Sequence, residues 1–152
     1  MICVYGAPGE EMQSARPLLG RAAERNSDVS VITSTNPRGE SPLEVAHDII
    51  DGLAKPAAAR VMPDRRRAIE WAIEQAQPGD AILIAGRGME TRYETELEDE
   101  VFSDYELVEQ LLRGESSSFD DDEPRIIPFP GLRKESSERP RLFAYGIEFS
   151  DN

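Results

Sequence analysis

Apolar positions in the first 113 residues follow two spacings that alternate along the chain. Short and mostly apolar runs at Ile2–Tyr5, Val29–Thr33 and Ala81–Ala85 predict strands. The run at Ala81–Ala85 has no polar interruption, which is typical of a strand covered on both faces. After a stretch rich in alanine and proline, Arg60–Met62 predicts a short edge strand. The pattern therefore predicts one sheet with at least one strand buried at its centre.

Segments with helical spacing lie between and after these runs. We predict helices that begin near the capping residues Ser14, Ser41 and Asp64, and a final helix over Ser103–Leu112. Trp71 is expected at the margin of the third helix. The side chains expected to face the core are Leu18, Leu19, Ala22, Ala23, Val45, Ile49, Ile50, Ala68, Ile69, Ala72, Ile73, Ala76, Tyr105, Val108, Leu111 and Leu112.

The alternation of strand and helix signals predicts an α/β fold with a mainly parallel, doubly wound sheet and helices on both faces. Residues 1–113 are predicted to form one compact domain. Residues 114–140 are polar and acidic and are predicted to be a linker. Residues 141–152 are predicted to be a C-terminal strand extension that adds to the edge of this sheet or of another chain's sheet, which would give a homodimer.

Composition narrows the possible partners. The formal net charge of −13 makes nucleic acid and anionic membranes poor partners, because such a surface repels phosphate. No apolar run is long enough to span a bilayer and residues 1–20 lack a signal-peptide pattern, so a cytoplasmic location is expected. The acidic runs 94–100 and Asp120–Glu123 are interpreted as solvated loops rather than metal sites. Cys3 is expected to be a buried, inert thiol, and His47 a surface residue.

The turn Gly6-Ala-Pro-Gly9 follows the first predicted strand, where a glycine-bearing loop can present amides to an anion. Glu10 and Glu11 stand where such an anion would be held. The chain has neither a Gly-x-x-x-x-Gly-Lys-Ser/Thr nor a Gly-x-Gly-x-x-Gly motif. We therefore interpret the turn as one capped by its own acidic residues rather than as a phosphate site.

Two further signatures end predicted strands and suggest a binding crevice. In Asn36-Pro37-Arg38, proline fixes one backbone torsion, so that the amide and the guanidinium leave the strand in a defined direction. Arg38 is suited to gripping a carboxylate, although a turn with a solvent-facing arginine is an equal alternative. In Gly86-Arg-Gly-Met-Glu90, the glycines permit close backbone approach and positive torsions, and Glu90 is placed to receive an ammonium. Nothing in the sequence forms a self-contained catalytic constellation.

The order of these residues resembles the C-terminal domain of the Mur ligases, in particular the branch that adds diaminopimelate or lysine to a UDP-N-acetylmuramoyl-dipeptide. The resemblance covers about residues 2–112 in colinear order. It is carried by Tyr5-Gly6, Arg16-Pro17, Gly20, Asp28–Arg38, Ser41-Pro42, Asp48-Ile49, Gly52, Asp64-Arg65, Gly79-Asp80, Leu83–Glu90 and Phe102–Asp104. The resemblance implies a Rossmann-like fold, with Asn36, Arg38, Gly86 and Glu90 as substrate-binding residues and no catalytic or metal-binding residue in this chain.

The sequence departs from the family pattern within the same crevice. The resemblance leads us to expect an aspartate at Thr35, a lysine at Arg87, a histidine at Met89, and a carboxylate-binding arginine at Glu11. A glutamate at that last position reverses the charge offered to the substrate, which indicates a degenerate copy of the domain.

Three hypotheses about function follow from the resemblance. The first is an amino acid pocket within a peptidoglycan ligase, where ATP and Mg²⁺ are held by a central domain that is supplied by the same gene or by another chain. The second is a non-catalytic binding or regulatory module for a small amino acid or UDP-muramoyl peptide. The third is a decayed domain retained for assembly. The isolated chain is expected to be inactive, and it remains open whether it is a fragment of a longer ligase or a free-standing relative.

Overall fold

The structure, a computed structural model, describes residues 1–94, 99–114 and 141–144. Five strands form one sheet in the order β3-β2-β1-β4-β7, and β5 and β6 form a separate antiparallel pair. The strands are β1 (Ile2–Tyr5), β2 (Val29–Ile32), β3 (Arg60–Val61), β4 (Ala81–Ile84), β5 (Arg92–Glu94), β6 (Asp99–Val101) and β7 (Arg141–Ala144). The helices are α1 (Arg16–Asn26), α2 (Pro42–Ile50), α3 (Arg65–Gln75) and α4 (Asp104–Arg113).

All pairings in the large sheet are parallel, with Ile2 opposite both Val29 and Ile82. Because side chains alternate along a strand, β1 sends Ile2 and Val4 to one face and Cys3 and Tyr5 to the other. The first face packs against α3 and α4, and the second against α1 and α2. The α/β fold with helices on both faces of a parallel sheet is therefore confirmed.

The strand order places a topological switch point next to β1. From β1 the chain moves outward through β2 to β3, and it then returns to place β4 on the opposite side of β1. The chain consequently leaves β1 toward one face of the sheet and β4 toward the other, with the two loops adjacent where the strands end. Ligand sites of open α/β sheets lie at such a point, beyond the carboxyl ends of the strands.

The predicted inward face of α1 is partly wrong. Leu18 is 60% exposed, and the residues of this helix that are buried are Arg16, Gly20 and Ala23. Gly20 is required by close packing, because a Cβ there would lie 2.2 Å from the carbonyl oxygen of Ile49. Helical spacing alone favoured leucine over arginine at the core, whereas Arg16 is buried because acidic partners on and before α2 neutralise it.

The predicted helix caps are confirmed in part. The Asp64 side chain accepts a hydrogen bond from the Arg67 amide at 3.1 Å, so it caps α3 as expected. The N-cap of α1 is Ala15 rather than Ser14, and neither Ala15 nor Ser41 makes a side-chain capping bond. In α4, Tyr105 is predicted to face the core but its side chain is exposed. Leu107 is buried in the core instead.

The antiparallel pair β5–β6 is not predicted from the sequence, because the acidic run 94–100, which overlaps the end of β5 and the start of β6, is interpreted as a solvated loop. Arg92 pairs with Val101 and Tyr93 with Glu100. The Tyr93 and Phe102 rings meet edge to face at 6.1 Å and pack under this pair. The two strands therefore pair despite the high charge of the segment, because Phe102 is buried in the core and Tyr93 is partly buried against it.

The C-terminal strand lies beside β4 of its own sheet, where Arg141 is opposite Ala81 and Ala144 is opposite Ile84. The predicted linker, apart from Gly114, and the rest of the predicted extension lie outside the described residues. Over the residues that the structure describes, no helix is long and apolar enough to cross a membrane.

Candidate functional site

Three strand-end loops meet at backbone level beside the switch point. A Cβ at Gly6, directly after β1, would lie 2.0 Å from the carbonyl oxygen of Thr33. A Cβ at Gly86, after β4, would lie 2.9 Å from Thr35 Cγ2 and 3.0 Å from the Gly6 carbonyl oxygen. Gly86 also has a φ of 104°, a conformation that disfavours any other residue. The predicted strand-end signatures therefore converge on one crevice.

The loop after β1 is held by a backbone carbonyl and a carboxylate of the loop after β2. The Gly9 amide donates to the Asn36 carbonyl at 2.9 Å, and the Glu10 amide donates to Glu40 Oε2 at 2.7 Å. The prediction that Glu10 and Glu11 cap this turn themselves is wrong, because Glu40 supplies the acceptor. The cap comes from a residue that is 30 positions away and that only the folded chain brings near.

Arg16 fixes Glu40 in that position from below. Its guanidinium donates to both carboxylate oxygens of Glu40 at 2.7 Å and to Asp48 at 2.8 Å. It also donates to the carbonyl oxygens of Pro8 and Glu11. The hydrogen bonds with Arg16 and with the Glu10 amide lower the pKa of Glu40 to about 2. A buried cation and a capped amide thus set the shape of the first loop.

The four residues predicted to bind substrate lie on two of the three loops. The Asn36 side-chain amide donates to Glu90 Oε2 at 2.8 Å, which joins the loops after β2 and β4. Arg38 forms an ion pair with Glu11, which joins the loops after β2 and β1. Arg38 has a φ of 52°, and the neighbours of Glu11, Glu10 and Met12, have φ values of 63° and 53°. Left-handed residues on both loops therefore turn these two side chains toward each other.

Arg87 lies beneath Glu90, and its side chain is fully buried. Its guanidinium lies over the rings of Tyr93 and Phe102, at 5.0 and 5.2 Å from the centroids. It donates to the carbonyl oxygens of Arg92 and Phe102, and its Nε lies 3.9 Å from Glu90 Oε2. Burial lowers the pKa of Arg87. The guanidinium fastens the β5–β6 pair to the crevice and presents positive charge to Glu90.

A third buried arginine, Arg65, ties the loops after β2 and β4 together. Arg65 donates to both carboxylate oxygens of Asp104, to the Ser34 carbonyl at 3.3 Å, and to the Ala85 carbonyl at 3.1 Å. Sequence reasoning gave neither Arg65 nor Asp104 a role in the crevice. The available signal was their position in the first turns of two predicted helices, which does not show that they are buried together.

Other potential sites carry less chemistry. A cavity of about 320 Å³ is lined by Asp64, Arg65, Arg66, Arg67, Glu70, Tyr93 and Phe102. Another, of about 300 Å³, lies between the end of α1 and the segment before β3. Neither is lined by the four predicted substrate-binding residues. Within the described part of the chain, no group of three or more His, Cys, Asp or Glu residues is placed to hold a metal ion.

A doubly wound parallel sheet with a crevice of converging strand-end loops defines a Rossmann-like fold. The chain belongs to the family described as Mur ligase, glutamate ligase domain, whose model matches residues 1–88. This confirms the family resemblance inferred from the sequence. The matched range includes the loops after β1 and β2 and the first residues of the loop after β4, as far as Gly88.

Individual relatives agree with this assignment. The UDP-N-acetylmuramoyl-L-alanyl-D-glutamate–2,6-diaminopimelate ligase of Aquifex aeolicus is 40% identical over 115 residues, which are 76% of this chain and 24% of that enzyme. The enzyme of the same name from Neisseria meningitidis serogroup A is 44% identical over 110 residues, or 72% of this chain and 22% of the enzyme.

A solved structure of a ligase with this name superposes with a TM-score of 0.69 at 32% identity, covering 76% of this chain and 24% of that one. The chain thus spans about a quarter of the length of the relatives it matches.

Proposed function

We propose that this domain contributes the amino acid pocket of an ATP-dependent amino acid ligase of peptidoglycan precursor synthesis. The observation that carries the proposal is the hydrogen bond between Asn36 and Glu90, which puts a carboxylate and an amide on opposing strand-end loops. Arg38 projects from the same loop as Asn36, two residues further on. An amine near Glu90 and a carboxyl group near Arg38 would match the two ends of an amino acid.

The relatives support the reaction class. Their name states that they join 2,6-diaminopimelate to a UDP-N-acetylmuramoyl dipeptide. We propose that a ligase central domain, in the same protein or a partner chain, holds ATP and Mg²⁺ and binds the UDP-muramoyl peptide. The crevice of this domain would then hold the incoming amine. On this proposal the 152-residue chain has no ligase activity by itself, and the crevice acts by binding and orienting its ligand.

The ion pair between Arg38 and Glu11 favours a second candidate function, a non-catalytic binding or regulatory module derived from the same domain. The arginine expected to receive a substrate carboxylate already has a carboxylate of its own chain. Such a module would retain the crevice and bind an amino acid or a UDP-muramoyl peptide without taking part in amide formation.

A homodimer through the C-terminal strand and a cytoplasmic location also remain predictions.

Isothermal titration calorimetry of the 152-residue chain with meso-diaminopimelate, lysine and lysinamide tests the crevice. We expect Glu90→Gln and Arg38→Ala to change the affinity for whichever compound binds, by about tenfold if a charge-assisted contact is lost. Glu109→Gln is the matched control, because Glu109 forms an exposed ion pair on α4 with Arg113 and lies outside the crevice. Binding that neither crevice variant alters would contradict the assignment.

A coupled assay separates the two candidate functions. The chain is mixed with ATP, Mg²⁺, UDP-N-acetylmuramoyl-dipeptide and an amino acid, with and without a ligase from which the C-terminal domain has been deleted. Release of phosphate only when the truncated ligase is also present would support the ligase module. Ligand binding that depends on the crevice, without phosphate release in either case, would support the binding module. Phosphate release by the chain alone would contradict both.

A further inference from the structure

We propose that Glu11 is a specificity-determining residue of the crevice. Its carboxylate forms an ion pair with Arg38, and the crevice thereby selects amines that carry no charged carboxylate beside them. The ligand class is an amine whose neighbouring carboxyl group is neutral, such as an amino acid amide. This inference rests on the proposed function of the crevice as a pocket for an amine-bearing ligand, and it names the chemistry that the pocket accepts.

The Arg38–Glu11 pair is an internal substitute for a bound carboxylate. The side chain of Arg38 is one-third exposed and that of Glu11 is about half exposed, so both lie at the mouth of the crevice rather than in the core. A ligand carboxylate must therefore compete with Glu11, which is held on the adjacent loop. An intramolecular group has the advantage of a high effective concentration, because its loop is already fixed.

That fixation comes from the buried network beneath the pair. The Gly9 amide bonds to the Asn36 carbonyl, and a Cβ at Gly9 would lie 1.8 Å from the Pro37 carbonyl oxygen. The Glu11 carbonyl accepts a hydrogen bond from Arg16 at 3.3 Å. Backbone contacts on both sides of Glu11 thus hold its loop against the loop that carries Arg38. The carboxylate is delivered by a rigid scaffold, so the pair forms without ordering a flexible segment.

The charges around the pair favour a cation. Glu10 is exposed, and its carboxylate lies toward Gly39, where an added Cβ would be 2.9 Å from Oε1. The side chain of Glu90 is about half exposed. The described residues of the three loops therefore carry three exposed or half-exposed carboxylates, those of Glu10, Glu11 and Glu90, and the Glu11 carboxylate is paired with Arg38. Glu40 lies deeper and is neutralised by Arg16.

An amino acid zwitterion meets opposite effects in this arrangement. Its ammonium is attracted by Glu90 and the other carboxylates, whereas its carboxylate finds Arg38 already neutralised and faces like charges. Converting the carboxylate of lysine to an amide removes the repulsion and leaves the side-chain ammonium unchanged. The arrangement consequently discriminates by the state of the carboxyl group rather than by the length of the side chain.

Calorimetry with lysine and lysinamide tests this inference, because the two differ only in that group. We expect the wild-type chain to bind lysinamide more tightly than lysine. Glu11→Gln should remove the carboxylate that competes for Arg38 and raise the affinity for lysine by roughly fivefold, the range of an exposed ion pair, while lowering that for lysinamide. Glu109→Gln removes the same charge from α4, outside the crevice, and it should leave the affinity for lysine nearly unchanged.

The outcomes separate this inference from the proposed function. Equal or tighter binding of lysine by the wild-type chain would overturn the role of Glu11 while leaving the crevice intact. The same lysine-to-lysinamide ratio in Glu11→Gln and Glu109→Gln would also overturn it, since overall net charge alone would then explain the preference. If neither compound binds the wild type or Glu11→Gln, the proposed function fails and this inference fails with it.

Discussion

The carboxylate of Asp104 accepts two hydrogen bonds from the guanidinium of Arg65, at 2.8 Å from Nε and 2.7 Å from Nη2. Arg65 is the first residue of α3 and Asp104 the first of α4, and both are at least 95% buried. Because Arg65 also bonds to the carbonyl oxygens of Ser34 and Ala85, the pair joins two helices to the ends of β2 and β4. The geometry of the crevice therefore depends on a charge pair that lies beneath it.

Asp104→Asn should destabilise the protein strongly. The variant keeps the size of the side chain but leaves Arg65 buried without its counterion, a loss worth roughly 3–5 kcal/mol in the free energy of unfolding. Urea denaturation followed by circular dichroism measures it. Glu109→Gln, which breaks the exposed pair with Arg113, should cost less than about 1 kcal/mol. Similar losses of unfolding free energy in the two variants would show that the buried Arg65–Asp104 pair stabilises the protein no more than an exposed pair does.

Gly20→Ala should also destabilise, although alanine normally favours a helix by about 1 kcal/mol over glycine. The added Cβ would meet the carbonyl oxygen of Ile49 at 2.2 Å, so α1 and α2 would have to separate. Gly39→Ala is the control, since its Cβ meets only the flexible end of the Glu10 side chain. Thermal unfolding should give a clearly lower Tm for the first variant, and a Tm equal to the wild type would disprove the close packing.

Glu40 should contribute to the loss of stability in acid. Its pKa is lowered from 4.5 to about 2, so the folded protein binds fewer protons there than the unfolded chain does. The stabilisation is complete above the higher value and is lost as the pH falls toward the lower one. The difference in unfolding free energy between wild type and Glu40→Gln should therefore shrink over this range. A difference that does not change with pH would contradict the assignment.

Glu44→Gln serves as the control for that titration. Glu44 is exposed in the first turn of α2, and its replacement changes the net charge by the same amount as Glu40→Gln. We expect this variant to retain the acid-dependent loss of stability of the wild type. A matching loss of pH dependence in both variants would point to overall charge rather than to the Arg16–Glu40 pair.

Cys3 should be inert toward thiol reagents in the folded protein. Its side chain is buried in β1, and burial raises the pKa of the thiol to about 11, so that little thiolate forms near neutral pH. Reaction with 5,5′-dithiobis(2-nitrobenzoic acid) should be negligible in buffer and rapid in denaturing urea. Fast labelling of the native protein would show that the strand opens far more readily than its packing implies.

Local sequence patterns determined much of the fold. The apolar runs located β1, β2 and β4 to within a residue, and Asp64 marked the start of α3. The signatures after β2 and β4 also indicated that the loops with Asn36 and Glu90 meet at one edge. These features follow from backbone periodicity and turn chemistry, which are encoded over a few neighbouring residues.

Only the tertiary structure decided which charges are buried and what they contact. Arg16, Arg65 and Arg87 lie in the interior and donate to carboxylates or carbonyl groups distant in the chain, and no local pattern specifies such partners. The same holds for the pairing of Arg38 with Glu11, which joins residues 27 positions apart. The free energy of a buried or paired charge depends on its partners in space. Local patterns could therefore place the crevice, whereas the charges that line it were decided by the folded chain.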